Sequence, residues 1–222
     1  MWRDAVLVAG RDLRVERRSR VATNQVAPFS LLVLVLFAFA LDPDRQLLER
    51  VASGLFWAAV LFSALLAIAR SAAIDEADGV RDALRLSGLE PGGVFVGKAA
   101  AVAVVLLALE VLLGVGVVVL YGVDPAGAGL LALTCVAATL ALAATGTLYG
   151  ALVSGLRVRE TLLPLLLLPT LAPVLVGATR AFEAALAGVP ADGWPWVGLL
   201  SAFAVAYLIA GALAYGSLLE GS

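Results

Sequence analysis

The stretch from Gly92 to Lys98 has the spacing G-x-x-x-x-G-K. With that spacing, a glycine-rich loop can wrap a phosphate with its backbone N–H groups while the lysine reaches the same oxygens. The chemistry also needs a Ser or Thr after the lysine to hold magnesium, and a strand leading into the loop. Here Ala99 follows Lys98, and Ser87-Gly88-Leu89-Glu90-Pro91 reads as a turn. The stretch is therefore expected to be a glycine-rich re-entry loop, with Lys98 an interfacial anchor for the apolar run that follows, and no nucleotide site.

Glu110 is the other residue with chemical potential, because it stands in the middle of an apolar run. An ionised carboxylate at the centre of a bilayer costs about 2.5–3.5 kcal/mol on insertion scales, so it must face a partner helix, face a cavity or be protonated. Two readings stay open: a polar contact in a translocation path or subunit interface, or a protonated carboxyl hydrogen-bonded within the bundle. The chain has no His, which removes the commonest metal and haem ligand and the usual proton shuttle. Its single Cys, Cys135, lies in an apolar run and reads as a small filler. No catalytic, cofactor-binding or metal site is expected in this chain.

The elements that carry these residues follow from composition. A chain of 222 residues that is 62% hydrophobic and 14% charged cannot stay soluble as one globule, so the bilayer is its solvent and the fold class is all-α integral membrane. Apolar runs at 22–41, 51–69, 99–122, 126–155, 161–178 and 196–219 give six spans in a single transmembrane domain covering 1–222. The fourth is longer than a bilayer requires and is expected to continue toward Arg157. The fifth contains Pro164, Pro169 and Pro173, each of which removes a backbone donor and kinks a helix. Gly146 and Gly150 form a G-x-x-x-G that permits close packing but carries little weight as a dimer motif. Asn24 and Gln25 read as interfacial caps at the mouth of the first span.

Residues 1–20 carry six arginines, with Trp2, Val6, Ala9 and Leu13 spaced to share a helical face, the pattern of an interfacial amphipathic helix. No cleavage-site pattern follows the apolar run near Val21, so this segment is expected to be retained. Lys and Arg number six before the first span, four in 70–98 and two in 156–160, against two in 42–50, none in 123–125 and one in 179–195. That asymmetry of twelve to three places the N-terminus, both richer loops and the C-terminus on the cytoplasmic side. Trp194 and Trp196 then fall at the opposite interface. Between spans two and three, Asp78 can cap a short helix through Ser87, with Val80, Ala83 and Leu84 on one face and Gly88 as its stop. An amphipathic helix there suits docking into a groove of a partner, the alternative being a helix that lies on the lipid surface.

Four stretches together resemble the haem exporter protein B (CcmB) family, the permease subunit of the cytochrome c maturation transporter. They are Arg11-Asp12-Leu13-Arg14 with Arg17; Gln46-Leu47-Leu48 with Gly54-Leu55-Phe56-Trp57; Asp78-Gly79 with Leu84 and Lys98; and Gly155-Leu156-Arg157 followed by Pro169 and Pro173. The chain departs from the family at Arg81-Asp82, where Leu-Glu is usual, and in its extra Pro164. The resemblance runs nearly end to end in length, span number and order. It implies the fold of ABC-2-type export permeases, in which two permeases pair with two cytoplasmic ATPase subunits (CcmA-like) that bind and hydrolyse ATP. It further implies a haem-handling membrane protein (CcmC-like) and a small single-span subunit (CcmD-like), with ATP hydrolysis releasing the haem-loaded chaperone. Asp78, Gly79, Val80, Ala83 and Leu84 would then make the ATPase-coupling contact, haem would be handled by partners, and nucleic acid would play no part. A permease for a drug, lipid or glycan shares the bulk features and is set apart only by these motifs.

Overall fold

The computed structural model describes residues 1–20, 22–41, 45–76, 88–124, 127–154, 156 and 158–220. Among them there is no strand. The helices are α1 (Trp2–Ser19), α2 (Ala27–Ala40), entered through a π-helical turn at Ala22–Val26, α3 (Arg45–Glu76), α4 (Pro91–Tyr121), α5 (Ala128–Val153), α6 (Arg159–Leu186) and α7 (Pro190–Glu220). Each of α3 to α7 is long and apolar enough to cross a membrane by itself. The 14 residues of α2 are too few for that, at about 1.5 Å each. They qualify only together with α1, from which they are bent by 51°.

Burial shows how the bundle packs. In α6, Leu163, Leu167, Leu171, Val174 and Ala178 are buried at steps of four, four, three and four. In α4 the buried series is Val102, Leu106, Leu109, Leu113, Val117 and Tyr121, again in steps of three and four. Such a stripe lets neighbouring helices run nearly antiparallel with interlocking side chains. Small residues make α5 the hub: Ala137, Ala138, Ala141, Ala143 and Ala144 are all buried, and α3, α4, α6 and α7 pack around it. A Cβ added at Gly146 would collide with the Ile68 side chain of α3, and Gly150 faces Ile68 and Ala72. The Gly146/Gly150 pair therefore serves packing within the chain.

Polar groups tie the helices where they must be paired away from water. Ser30 and Ser63 hydrogen-bond across α2 and α3 at 2.7 Å. Each hydroxyl also lies within hydrogen-bond distance of the carbonyl four residues earlier, Val26 for Ser30 and Ala59 for Ser63, so one serine donates to its carbonyl and the other to its partner serine. Tyr121 donates to the Leu34 carbonyl at 3.0 Å, pinning the last turn of α4 to α2.

Several expected boundaries shift. The third span starts at Pro91 instead of 99, the fifth extends to Leu186 instead of 178, and the sixth begins at Pro190 instead of 196. The fourth ends at Val153, short of Arg157. In each extended case, short stretches with Gly, Pro or a charge look like loops to a hydropathy reading, yet Pro is well suited to a first helical turn and lone charges can be paired by neighbours. Pro164, Pro169 and Pro173 all lie inside the one helix α6. Pro169 and Pro173 stand on its exposed face, away from the Leu163–Leu167–Leu171 stripe.

Candidate functional site

Two places in this bundle bring ionisable side chains together inside apolar surroundings. The first is where α1 lies against the start of α4. Ala5 and Val8 are buried there, at 5% and 3% exposure, and Asp12 and Glu16 continue the same stripe at half-buried positions. This is not the expected face. Trp2 and Val6 are 74% and 59% exposed, so the helix is turned by one residue, about 100°, from the purely apolar reading. The reason is what α4 offers: two glycines, a lysine and, from α3, an arginine.

The stretch Pro91–Lys98 is helical, which corrects the expected re-entry loop. Pro91 begins the helix after an extended Glu90, and Gly93 and Gly97 form a G-x-x-x-G on the side facing α1. A Cβ at Gly97 would lie 2.5 Å from the Ala5 carbonyl oxygen and 2.9 Å from the Val8 Cβ. A Cβ at Gly93 would lie 2.7 Å from the Met1 carbonyl oxygen. The two backbones thus approach more closely than any side chain permits. The glycines tolerated as phosphate-loop candidates in the sequence act here as a helix-crossing point.

Lys98, expected as an interfacial anchor, is 2% exposed. Its Nζ lies 3.4 Å from Asp12 Oδ2, while Arg11 Nη2 lies 2.7 Å from Asp12 Oδ1. One turn on, Glu16 accepts from the Ala22 N–H at 2.6 Å and from Arg70 Nε of α3 at 3.3 Å. Asp4 accepts from the Met1 ammonium at 3.2 Å and from the Glu90 N–H at 3.3 Å, and these two hydrogen bonds hold the Asp4 carboxyl below its ordinary range. Asp4 in the first turn and Arg17 and Arg18 in the last also match the helix dipole. The π-helical turn at Ala22–Val26 follows directly, and a small cavity of about 50 Å³ sits at the joint between Asp12, Glu16, Ala22, Arg70 and α4. Asp12, Glu16, Arg70, Gly93 and Gly97 were not expected as a cluster. Two signals were available: the i, i+4 acids inside an arginine-rich helix, and the second G-x-x-x-G.

Asp12 and Lys98 give an asymmetric expectation. Asp12→Ala strips two cations of one shared carboxylate and should cost about 1.5–3 kcal/mol. Lys98→Met keeps the volume and leaves Asp12 its Arg11 partner, so it should be milder. Thermal unfolding of the purified variants in detergent measures this, and a Lys98→Met chain less stable than Asp12→Ala would contradict it.

The second place lies in the other half of the bundle. Glu110 on α4 is 4% exposed, and its Oε1 accepts from the Thr139 hydroxyl of α5. Cys135, one turn before Thr139 on the same face, borders the carboxylate. Of the two open readings, the contacts favour a hydrogen bond within the bundle, while Oε2 has no hydrogen-bond partner among the described residues. Beside Glu110 runs a cavity of about 510 Å³ reaching Phe56 of α3 and Phe182 and Leu186 of α6. Phe56 and Phe182 stack at 4.7 Å, and Trp57 meets both rings edge-on. The coupling-helix residues Asp78, Gly79, Val80, Ala83 and Leu84 lie outside the described residues. Gly88, their expected stop, has the left-handed φ of 67° such a stop uses.

Comparison with known proteins gives one answer. A family model described as CcmB protein matches residues 3–222. A protein named heme exporter protein B from Haemophilus influenzae is 32% identical over 197 residues, covering 82% of this chain and 83% of its own. One of the same name from Escherichia coli is 36% identical over 183 residues, covering 82% and 83%. A third, from Bradyrhizobium diazoefficiens, is 31% identical over 208 residues, covering 92% and 91%.

Proposed function

This chain belongs to the CcmB family, and from that premise we infer that it is the multi-pass permease subunit of an ABC transporter for cytochrome c maturation. The observation that carries the reading is the family match from residue 3 to 222 onto a chain built almost wholly of apolar helices. Such a chain offers helices to line a path and ends to meet partners. We further propose that ATP is bound and hydrolysed by a separate CcmA-like subunit, that two permeases assemble, and that CcmC-like and CcmD-like proteins handle the haem. Since the sequence has no His, haem is expected to be ligated by those partners. The outcome is haem export, or ATP-driven release of the haem-loaded chaperone, at a bacterial inner membrane.

Energy coupling is proposed at Asp78, Gly79, Val80, Ala83 and Leu84, between α3 and α4. Two features support it. The segment joins α3, whose Arg70 holds Glu16 of α1, to α4, whose Lys98 holds Asp12 of α1. Force applied there would reach two helices already bound to a third. Burial of a Leu anchor stabilises by about 1.5–3 kcal/mol, and a desolvated carboxylate in its place adds to the loss. Leu84→Asp should therefore lower the ratio of co-purified ATPase to this chain at least tenfold, with membrane abundance kept, and Asp78→Ala should lower it less. An unchanged ratio and unchanged cytochrome c maturation in Leu84→Asp would refute the contact.

The proposed orientation puts the N-terminus and Arg81 in the cytoplasm and Asp192 outside. The packing supports a common end for the arginine-rich segments, because Pro91 at the start of α4 meets Gly216 near the end of α7, and α1 meets both α3 and α4. At the other end Gly127 meets Ala185 and Gly193 meets Leu130. Cysteines placed at 81 and 192 in a Cys135-free background should be labelled by an impermeant reagent only at 192 in intact cells. Labelling at 81 would reverse the arrangement.

A further inference from the structure

A groove between α2 and α3 opens on the flank of the bundle, with Gln25 and Phe29 on one side and Phe62, Leu65, Leu66 and Arg70 on the other. It encloses about 610 Å³, within the roughly 300–1,000 Å³ of pockets that hold small organic molecules. Sequence spacing orders its chemistry along the helices. Phe62, Leu66 and Arg70 recur every fourth residue on α3, and Gln25 and Phe29 are four apart on the way into α2, so each side runs from apolar to polar in the same direction. Phe29, Phe62 and Leu66 are 46%, 48% and 46% exposed, which in a bilayer means open to hydrocarbon. The Ser30–Ser63 hydrogen bond joins the two helices one residue along from each phenylalanine.

Arg70 stands at headgroup depth. The 32 residues of α3 are about 48 Å long, whereas about 30 Å of hydrocarbon takes about 20 of them. Centred, those are roughly residues 51–70, which puts Arg70 at the boundary and Phe62 about 12 Å deeper. Arg70 lines both this groove and the small cavity at the α1 joint, so it stands between Glu16 and the groove. Its Nε bonds Glu16 Oε2 at 3.3 Å, and the side chain is still 33% exposed. Glu16 offsets its charge, and the positive excess comes from Arg17, Arg18 and Arg20, all exposed at the end of α1. That end is tied to the turn carrying Gln25: the Arg20 N–H donates to the Glu16 carbonyl, and the Arg20 carbonyl accepts from the Asn24 N–H, both at 2.8 Å. A guanidinium, an amide donor and neighbouring arginines select a phosphate of net negative charge, and the apolar run beneath them suits a chain attached to it. A second copy seated here about a two-fold axis along the membrane normal would set its own arginine-rich end against this one, which like charge opposes. We propose that the groove holds an anionic phospholipid, its phosphate between Arg70 and Gln25 and one acyl chain along Leu66, Leu65, Phe62 and Phe29. The site does not depend on the maturation reading, since binding needs only this chain in a bilayer.

Phe62→Trp places a fluorescent reporter in the groove. Trp2, Trp194 and Trp196 are replaced by Phe, and Trp57, 1% exposed, is a background measured in the same chain with native Phe62. The full chain is placed in nanodiscs of phosphatidylcholine and phosphatidylglycerol with identical acyl chains, either lipid being brominated in turn. Brominated phosphatidylglycerol should half-quench the reporter at a mole fraction at least tenfold below that for brominated phosphatidylcholine. Arg70→Gln should erase the preference. Gln25→Glu, an exposed change that leaves the Arg70–Glu16 pair in place, should lower it at least tenfold. Asn24→Glu adds the same charge to the same turn but does not line the groove, and should lower it no more than threefold. Glycerol phosphate, which has the headgroup chemistry without a chain, should not displace the lipid. Equal quenching by the two lipids, a preference kept in Gln25→Glu, an equal loss in Asn24→Glu and Gln25→Glu, or displacement by glycerol phosphate would each overturn the proposal. So would a reporter shielded from both lipids in discs that hold two chains, since a second copy would then fill the groove. If Arg70→Gln releases α1 and fails to fold, Gln25→Glu against Asn24→Glu still decides.

Discussion

Gly97→Leu is expected to lift α1 off the bundle. A Cβ at this position already falls 2.5 Å from the Ala5 carbonyl oxygen, and that atom belongs to a helix backbone that cannot rotate aside. A Cβ at the neighbouring Gly93 would likewise fall too close to the Met1 carbonyl oxygen, at 2.7 Å, so sliding along α4 gives no relief. Overpacking of this kind costs about 1–3 kcal/mol where side chains can adjust. Here the separation also pulls Asp12 from Lys98, now 3.4 Å apart, and Glu16 from Arg70, now 3.3 Å apart. Hydrogen bonds to charged groups are worth about 1.5–3 kcal/mol each. The terms overlap, and about 3 kcal/mol or more is expected. Hydrogen exchange of the α1 amides should accelerate by about a hundredfold, while α5 and α6 keep their protection. Gly198→Leu, at a site with nothing within 4 Å, is the matched control and should leave exchange unchanged. Unchanged α1 exchange in Gly97→Leu would mean that the close crossing does not hold α1. Cytochrome c maturation should fall with the docking if α1 transmits force between α3 and α4.

Glu110→Lys is expected to be the most damaging single change within a span. Lysine has three donors and no acceptor, so the Thr139 hydroxyl loses the oxygen it donates to. A charged amine at that depth costs about 2.5–3.5 kcal/mol on insertion scales. Burial at 4% exposure leaves it little room to reach water. Glu110→Gln behaves differently. Its carbonyl oxygen can still accept from Thr139, and its NH₂ fills the position of Oε2, so a change within about 1 kcal/mol is expected. Membrane abundance and the thermal unfolding midpoint in detergent should be near native for Gln and sharply lower for Lys. Two variants of equal abundance and equal midpoint would show that the Thr139 contact is incidental.

The two variants probe different kinds of knowledge. Glu110 was legible as an anomaly because a lone carboxylate in a long apolar run violates the rule that such runs are uncharged. Its partner was not legible. Thr139 is one of several threonines in α5, and only the antiparallel packing of α4 on α5 decides that it and Cys135 face Glu110 while Thr134 and Thr145 do not bond to it.

The sequence by itself determined the medium, the fold class and the family. Hydropathy requires backbone groups to be satisfied within each segment, so apolar runs of this length become helices whatever surrounds them. The motifs from Arg11 through Pro173 sufficed to place the chain among CcmB proteins. Tertiary structure alone decided what the short polar and glycine-rich pieces do. Gly92 to Lys98 looked like a loop because three glycines in seven residues are poor helix formers, each losing about 1 kcal/mol against Ala. The helix forms there because α1 packs onto those same glycines, at a distance no larger residue allows, and brings Asp12 to Lys98. For the same reason α1 is turned away from its purely apolar face. Periodicity counts hydrophobic residues on one helix, whereas the docked face was chosen by the shape and charge of another.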